Sequence, residues 1–364
     1  MASEEHGAAC RNHTQVAVVG GGLAGLALAE RLQQAGFDFQ LFEARERLGG
    51  RVESVTCMGV GFDLGPAWFW STQPRMAGLC DRLGLAVFEQ YSTGDLLFED
   101  TQRQVQRGRG YASMEGSLRI EGGAGALTDV LASRLPEQKV HLQAPVRRVF
   151  ANGQLTLDDG SCWHADRIVL ALPPRVAAEL HFEPALGASE RRLLADTPTW
   201  MAGVAKFLAV YDEPFWRQEG LSGDVMSRSG PLMEIHDATP RSGGPGALFG
   251  FYGVPAHIRR DHPDELVAAT QAQLERLFGS QARAPVQTFL RDWAVAPETA
   301  TEADQIPPTQ HPTYGLPHSL TGAWEGRLLF GASEMAGVNG GYMEGALEQA
   351  EAITRVLLEA YSDG

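Results

Sequence analysis

An α/β fold is predicted for this 364-residue chain, with a discontinuous parallel-strand domain drawn from both ends and a smaller α+β domain on a mostly antiparallel sheet between them. Three observations predict it. Near the N-terminus an apolar β-type run, Gln15 to Val19, passes through a glycine turn into a helical stretch, Leu23 to Ala35, that stops at Gly36. A second strand, Phe39 to Phe42, follows at once, which is the order of a βαβ unit. Near the C-terminus a strand, Leu328 to Phe330, runs into small residues and a glycine-rich loop that opens a helix, Met343 to Glu359.

The first of these elements says the most. Gly20, Gly22 and Gly25 stand in G-x-G-x-x-G register, with a strand before and a helix after. Gly20 allows the tight turn, Gly22 lets the backbone approach a pyrophosphate, and Gly25 lets the helix pack close to the sheet. The helix N-terminus offers N–H groups and a partial positive charge to phosphates. Glu43 ends the second strand, where a carboxylate can accept from both ribose hydroxyls and disfavours a 2′-phosphate. The pattern is that of a Rossmann-like dinucleotide site; by itself it does not separate NAD from FAD. Gly49, Gly50 and Arg51 then follow at short range: two glycines that let the backbone pass close to a cofactor, and a guanidinium fork suited to a pyrophosphate.

Further along, Leu79 to Leu85 reads as the end of a helix broken by Gly84, and residues 102–117 as a polar loop or strand pair. A helix is expected over Ala126 to Leu135, stopped by Pro136. Strands are expected at Val140 to Leu142 and Val146 to Phe150, then an antiparallel pair around the Asp159-Gly160 turn, and a buried strand from Arg167 to Leu172. Val204 to Tyr211 and Ala247 to Tyr252 read as strands, and Asp264 to Phe278 as an amphipathic helix. Lys206 interrupts an otherwise apolar strand, a costly place for an ammonium unless it is paired, hydrated or deprotonated; on the residues alone, snorkelling from a strand edge is the competing account. Trp68, Phe69 and Trp70 form an aromatic cluster that either lines a cavity or simply packs. His236, His311 and His318 have no partner spacing and read as loop histidines, and no metal site is expected.

The run from Gln15 to Ser54, with Phe62-Asp63-Leu64-Gly65-Pro66-Ala67-Trp68, the P-F-W-R ending at 214–217 and the 329–346 block, resembles the flavin-containing amine oxidase family, the monoamine oxidase and polyamine oxidase group. The likeness spans roughly residues 14–216 and 286–356. It implies an FAD-binding domain over 13–86, 119–195 and 296–364, and a reduced substrate domain over 87–118 and 196–295. It implies that Gly20, Gly22, Gly25, Glu43, Ala44, Gly49, Gly50, Arg51, Gly65, Pro66, Ala67, Trp68, Val146, Gly331 and Gly341 belong to the cofactor site. It further implies that Glu334 orients the ribityl and pyrophosphate region, that the backbone at Met343 meets the pyrimidine end of the flavin, and that Trp293 packs against its edge. Lys206 matches the family's lysine bridged by water to flavin N5. Tyr342 matches one of two aromatic residues that stand over the flavin face. The second is missing: the stretch after Trp293 reads Ala294 to Glu302 with no aromatic and no cysteine, so a noncovalent FAD is expected. The family's long helical lid is also cut down, to about Phe88–Arg119. That leaves either a more open cavity or one covered by a partner subunit in a homo-oligomer.

Composition bounds the partners. A formal net charge of −15 argues against nucleic acid and against anionic lipid. No run approaches the roughly 20 apolar residues of a membrane span, Met1 to Thr14 lacks the apolar core of a leader, and the C-terminal membrane anchor of some family members is not expected. Cys10, Cys57, Cys80 and Cys162 are scattered, with no disulfide framework expected, which suits a cytoplasmic location. The function implied is oxidation of a small-molecule amine to an imine, with hydride transfer to flavin N5 and reoxidation by oxygen giving hydrogen peroxide. Two other classes stay open: a renalase-like or desaturase-like oxidation of a non-amine substrate, and a non-catalytic flavoprotein assisting a partner.

Overall fold

The Asn12–Val19 strand is apolar from Val16 onward, and Val16 to Val19 are all buried, as in a central parallel strand covered on both faces. It pairs in parallel with Phe39–Phe42 on one side and with Cys162–Leu170 on the other. The computed structural model describes residues 10, 12–110 and 114–362. The expected lack of a leader's apolar core, and part of the polar 102–117 run, fall on residues 1–9, 11 and 111–113, outside those described. The chain forms two units, one from residues 1–50, 131–197 and 313–364, the other from 51–130 and 198–312.

In the first unit the sheet runs His181–Glu183, Val146–Phe150, Gln154–Leu157, Cys162–Leu170, Asn12–Val19, Phe39–Phe42, Val140–His141, with Leu328–Phe330 also on Cys162–Leu170. Two strands expected apart, the return from the Asp159-Gly160 turn and the run from Arg167, are one continuous strand. Its first half pairs antiparallel with Gln154–Leu157 and its second half in parallel with Leu328–Phe330. Helices Leu23–Gln34 and Met343–Ser362 pack on each other, joined by Arg31 Nη2 and Glu351 Oε1 at 2.7 Å. Leu26, Leu28 and Leu32 are fully buried along the first helix, each worth roughly 1.5–3 kcal/mol of apolar burial. Cys10 and Cys162 form a disulfide, which corrects the expectation of none and removes the cysteine-based reason for placing the chain in a reducing compartment. They meet because Asn12 pairs with Trp163 across the sheet, a register no local pattern records.

The second unit is built on a sheet ordered Gln287–Asp292, Ala205–Tyr211, Gly246–Tyr252, Leu232–Asp237, Leu221–Ser227, Asp95–Glu99, Val105–Gly108. All its pairings are antiparallel except that of Leu221–Ser227 with Asp95–Glu99. Period-two alternation sends Phe207, Ala209 and Tyr211 to one face, where Leu266, Leu274, Leu277 and Phe278 of helix Pro263–Phe278 cover them. Leu208 and Val210 take the opposite face and pack with Cys57, Phe62 and Leu64 of the Ser54–Cys57/Val60–Asp63 hairpin. Through that packing the hairpin belongs with the antiparallel sheet, and the compact units divide at Gly50. Among the described residues no helix is long and apolar enough to cross a membrane.

Candidate cofactor and active site

Strands Asn12–Val19, Phe39–Phe42 and Leu328–Phe330 lie in parallel to one another or to the strand they share, so Gly20, Glu43 and Gly331 leave the sheet at one edge. This is the carboxyl edge, where open α/β sheets bind ligands. Gly20 has φ +109°, and a Cβ there would stand 2.6 Å from Ala171 O; a Cβ on Gly25 would collide with Gly20 O. These two glycines serve the fold. Gly22 differs: its backbone is extended, and a Cβ would meet nothing nearer than Gly50 Cα at 3.8 Å. Gly22 is the N-cap of the helix and supplies no capping side chain. The space over Gly22 and the uncapped first turn together fit a pyrophosphate. Gly49 and Gly50 run alongside, with Gly49 N donating to Gly21 O at 2.8 Å.

Glu43 is buried and folded against this turn. Its Oε2 accepts from Gly21 N at 2.7 Å and its Oε1 from Arg45 N at 2.9 Å. Each carboxylate oxygen keeps a further lone pair, so ribose hydroxyls can still be accepted. Ala44 is half-buried beside it. Ala144 N donates to Glu43 O at 2.9 Å, which brings the start of the Val146–Phe150 strand past the same acid.

The C-terminal block lies in the same unit. A Cβ on Gly331 would stand 2.6 Å from Ile353 Cδ1, so this glycine is demanded by packing as well as by any cofactor. Glu334 is fully buried in the short turn Ser333–Met335, and Ser333 Oγ donates to Tyr342 O at 2.7 Å, tying the turn to the loop before the last helix. Gly341 has a positive φ of 80°, Tyr342 is half-buried, and Met343 opens the helix. Desolvation pushes the Tyr342 phenol above its ordinary pKa, so it stays neutral.

The second unit holds the other expected residues around one stretch of main chain. Lys206 is only 2% exposed and sits on an interior strand, hydrogen-bonded on both sides, which excludes snorkelling from an edge. Its Nζ donates to Gly65 O at 3.1 Å and stands 3.9 Å above the centre of the Phe249 ring. Trp293 Nε1 donates to Leu64 O at 3.0 Å, so Lys206 and Trp293 grip consecutive carbonyls. The turn itself is set by Asp63, buried, which accepts from Ser54 Oγ and Ala124 N at 2.7 Å each. A Cβ on Gly65 would collide with Arg51 O. Burial drives the lysine pKa down from 10.5 to about 7; the Asp63 charge opposes this and the Arg119 charge adds to it. Burial also raises the Asp63 carboxyl, against Lys206 and its hydrogen-bond donors. Beyond the turn, Pro66 and Ala67 lead to Trp68, whose indole donates to Gln90 Oε1 at 2.8 Å and whose ring lies 5.1 Å from Phe249.

One expectation fails here. His236 is not a loop residue: it lies in strand Leu232–Asp237, fully buried, with Nδ1 2.8 Å from Asp224 Oδ1 and Nε2 2.9 Å from Glu234 Oε1. Its ring also meets Trp68 edge-on at 4.9 Å. Burial opposes its charge, yet the two carboxylates outweigh that and raise its pKa. The spacing of Glu234 and His236 on one strand face was a visible signal; Asp224 comes from the neighbouring strand and was not. His318 lies in a short turn, and His311 packs on Trp200.

A family model described as "Flavin containing amine oxidoreductase" matches residues 97–358, and one described as "NAD(P)-binding Rossmann-like domain" matches residues 18–83. The chain is 22% identical to the "Amine oxidase [flavin-containing] B" of Cavia porcellus, over 95% of this chain and 86% of that one. It is 23% identical to the "Putrescine oxidase" of Kocuria rosea, over 76% and 81% of the two chains. A solved structure of a putrescine oxidase bound to putrescine shares the fold, with a TM-score of 0.80 and 21% identity over 95% of this chain and 99% of that one.

Proposed function

Since the chain belongs to the flavin containing amine oxidoreductase family and is an enzyme of the FAD-dependent amine oxidase type, we propose that it oxidises a small-molecule amine at the C–N bond, with FAD held noncovalently. The balanced reaction takes the amine, oxygen and water to a carbonyl compound, ammonia or a smaller amine, and hydrogen peroxide. FAD supplies the two-electron acceptor for the C–H bond next to nitrogen, and oxygen is the proposed final oxidant.

The cofactor-binding segments proposed are 13–86, 119–195 and 296–364, with 87–118 and 196–295 serving the substrate. Gly20, Gly22 and Gly25 shape the turn for the pyrophosphate, Glu43 accepts from the ribose, and Arg51 offsets phosphate charge. Ala44, Gly49, Gly50, Gly65, Pro66, Ala67, Trp68, Val146, Gly331 and Gly341 bring backbone or small side chains close. Glu334 orients the polar chain of the cofactor, the Met343 backbone donates to the ring edge, and Trp293 packs beside it. Tyr342 forms a wall that excludes water and favours the neutral amine.

Lys206 carries the reading. It is a buried lysine with a pKa near 7 and a main-chain acceptor, so it can hold a proton or release it within the working range of pH. In its protonated form it would stabilise the negative charge that develops on oxygen as oxygen is reduced nearby. A panel of primary amines and diamines, offered to the purified protein with peroxide release as the readout, tests the activity. Release with at least one amine is expected. Silence with every amine, together with bleaching by a dihydropyridine, would replace this reading with the non-amine oxidation. For the noncovalent bond, acid precipitation should leave the yellow colour in the supernatant; colour in the pellet would contradict it.

A further inference from the structure

The opposite end of the parallel sheet carries a cluster that amine oxidation does not use. His13, near the start of the Asn12–Val19 strand, pairs in register with His164 of the Cys162–Leu170 strand. Paired residues on neighbouring parallel strands share a face, and Asp166, two residues past His164, shares it too. The imidazole rings stack with centroids 5.5 Å apart, and His13 Nε2 is 3.1 Å from Asp166 Oδ1. One ligand atom from each of the three lies within 4.8 Å of the other two. Two ligands of one tetrahedral ion, each about 2.0–2.1 Å from the metal, stand roughly 3.3 Å apart. His13 and Asp166 are already at that separation, and His164 offers a ligand atom within 4.8 Å of both.

We propose that His13, His164 and Asp166 bind a divalent transition-metal ion of the zinc class, with the remaining coordination position open to solvent. Two features beyond the three ligands support it. His164 Nε2 lies 2.9 Å from Asn152 O, which can only accept, so Nε2 carries the proton and Nδ1 keeps its lone pair for a metal. Tyr361 Oη donates to Asp166 Oδ2 at 3.3 Å, restraining the carboxylate. A carbonyl behind a ligating histidine and a donor behind a ligating carboxylate are what orient metal ligands. Two imidazoles and one carboxylate select zinc, cobalt, nickel or copper over magnesium and calcium. Arg167 and Arg327 border the same cleft, and their charge weakens the binding of a cation there. His13 and Asp166 are 153 residues apart in sequence, which is why no ligand spacing announces the site. The cluster lies roughly 20 Å along the strand from Gly20, at about 3.3 Å per residue, so it stands or falls independently of the flavin chemistry.

The test uses the flavin-loaded protein after dialysis against a chelator. Cobalt is titrated in while the visible bands of a four- or five-coordinate ion are followed beyond the flavin absorption, and zinc is titrated by calorimetry. Wild type is expected to take up one ion per chain. His13→Ala and Asp166→Asn should each weaken binding by about a hundredfold, and Tyr361→Phe by about tenfold. Flavin content should stay at the wild-type level in all three, since these side chains are at least partly exposed and away from the turn. Absence of cobalt bands and of zinc heat in wild type would overturn the proposal. So would wild-type affinity in His13→Ala, which would leave the three residues as a surface ion pair and a neighbouring ring.

Discussion

The two units place their functional groups by opposite means. In the first, the proposed cofactor turn is made of backbone: Gly20, Gly22, Gly25 and Gly50 matter for what a Cβ would hit or for where it would project, and Gly49 for its positive φ. In the second, the candidate site is made of side chains that the antiparallel sheet holds away from water, Lys206, Asp63, Trp293 and His236 among them. Backbone sites depend on residues close in sequence. Side-chain sites depend on strand register and on burial, which many distant segments set together.

The largest effect is expected where backbone meets backbone. Gly25→Ala puts a methyl into Gly20 O, neither of which can yield without unmaking the turn, so both the fold of the first unit and flavin retention should be lost. Gly22→Val sharpens the contrast, because its Cβ points into open space and its φ of −74° suits any residue. That variant should melt within about 1 kcal/mol of wild type yet purify colourless. Yellow Gly22→Val protein at full occupancy would show that the pyrophosphate lies elsewhere.

Next comes the side-chain unit. Lys206→Met keeps length and removes charge, and it should leave flavin bound while slowing reoxidation by oxygen about a hundredfold. The wild-type reoxidation rate should fall as pH rises through about 7, as the lysine loses its proton, and the variant's should be flat. Stopped-flow mixing of reduced enzyme with oxygen separates this from the reductive step; equal rates in both proteins would take Lys206 out of the chemistry. Glu43→Ala and Arg51→Ala should act more weakly, each losing about 1.5–3 kcal/mol of cofactor binding through ribose or phosphate hydrogen bonds. Full flavin occupancy after extensive dialysis of both variants would contradict their assignment.

How much of this could be read in advance follows the same division. The fingerprint from Val19 to Gly25, the acid at Glu43 and the block from Gly331 to Met343 were legible because each is a short local pattern, and the predicted strands there match the observed ones closely. Lys206 was legible as an oddity, a cation in an apolar strand, but its burial between two neighbouring strands was not. The Cys10–Cys162 disulfide, the single strand Cys162–Leu170 and the Asp224–His236–Glu234 cluster were missed for one reason. Each depends on which strand lies beside which, and beyond the Glu234–His236 spacing, pairing across 12 to 152 residues leaves no trace in the pattern of any one strand.

The smallest effect tests that missed cluster. His236 is held between Asp224 on the adjacent strand and Glu234 on its own, with Trp68 and Phe249 closing its remaining sides. Its folded pKa lies above the ordinary 6.5, so its contribution to stability is complete below that pH and is lost as pH rises through the folded value. Lys206 tilts the other way. Its folded pKa is about 7 against 10.5, so the unfolded chain binds more protons between those values and stability rises with pH there. The two slopes oppose each other, and the absolute pH profile of wild type reports neither. The difference between wild type and His236→Gln does, because Lys206 is common to both. Urea denaturation from pH 6 to 9 should find wild type the more stable at low pH and the gap narrowing upward, by at most about 1.4 kcal/mol per pH unit for a single proton. A gap that does not change with pH would mean that the folded pKa of His236 is not raised, and a gap that widens with pH would mean that the folded protein holds it neutral.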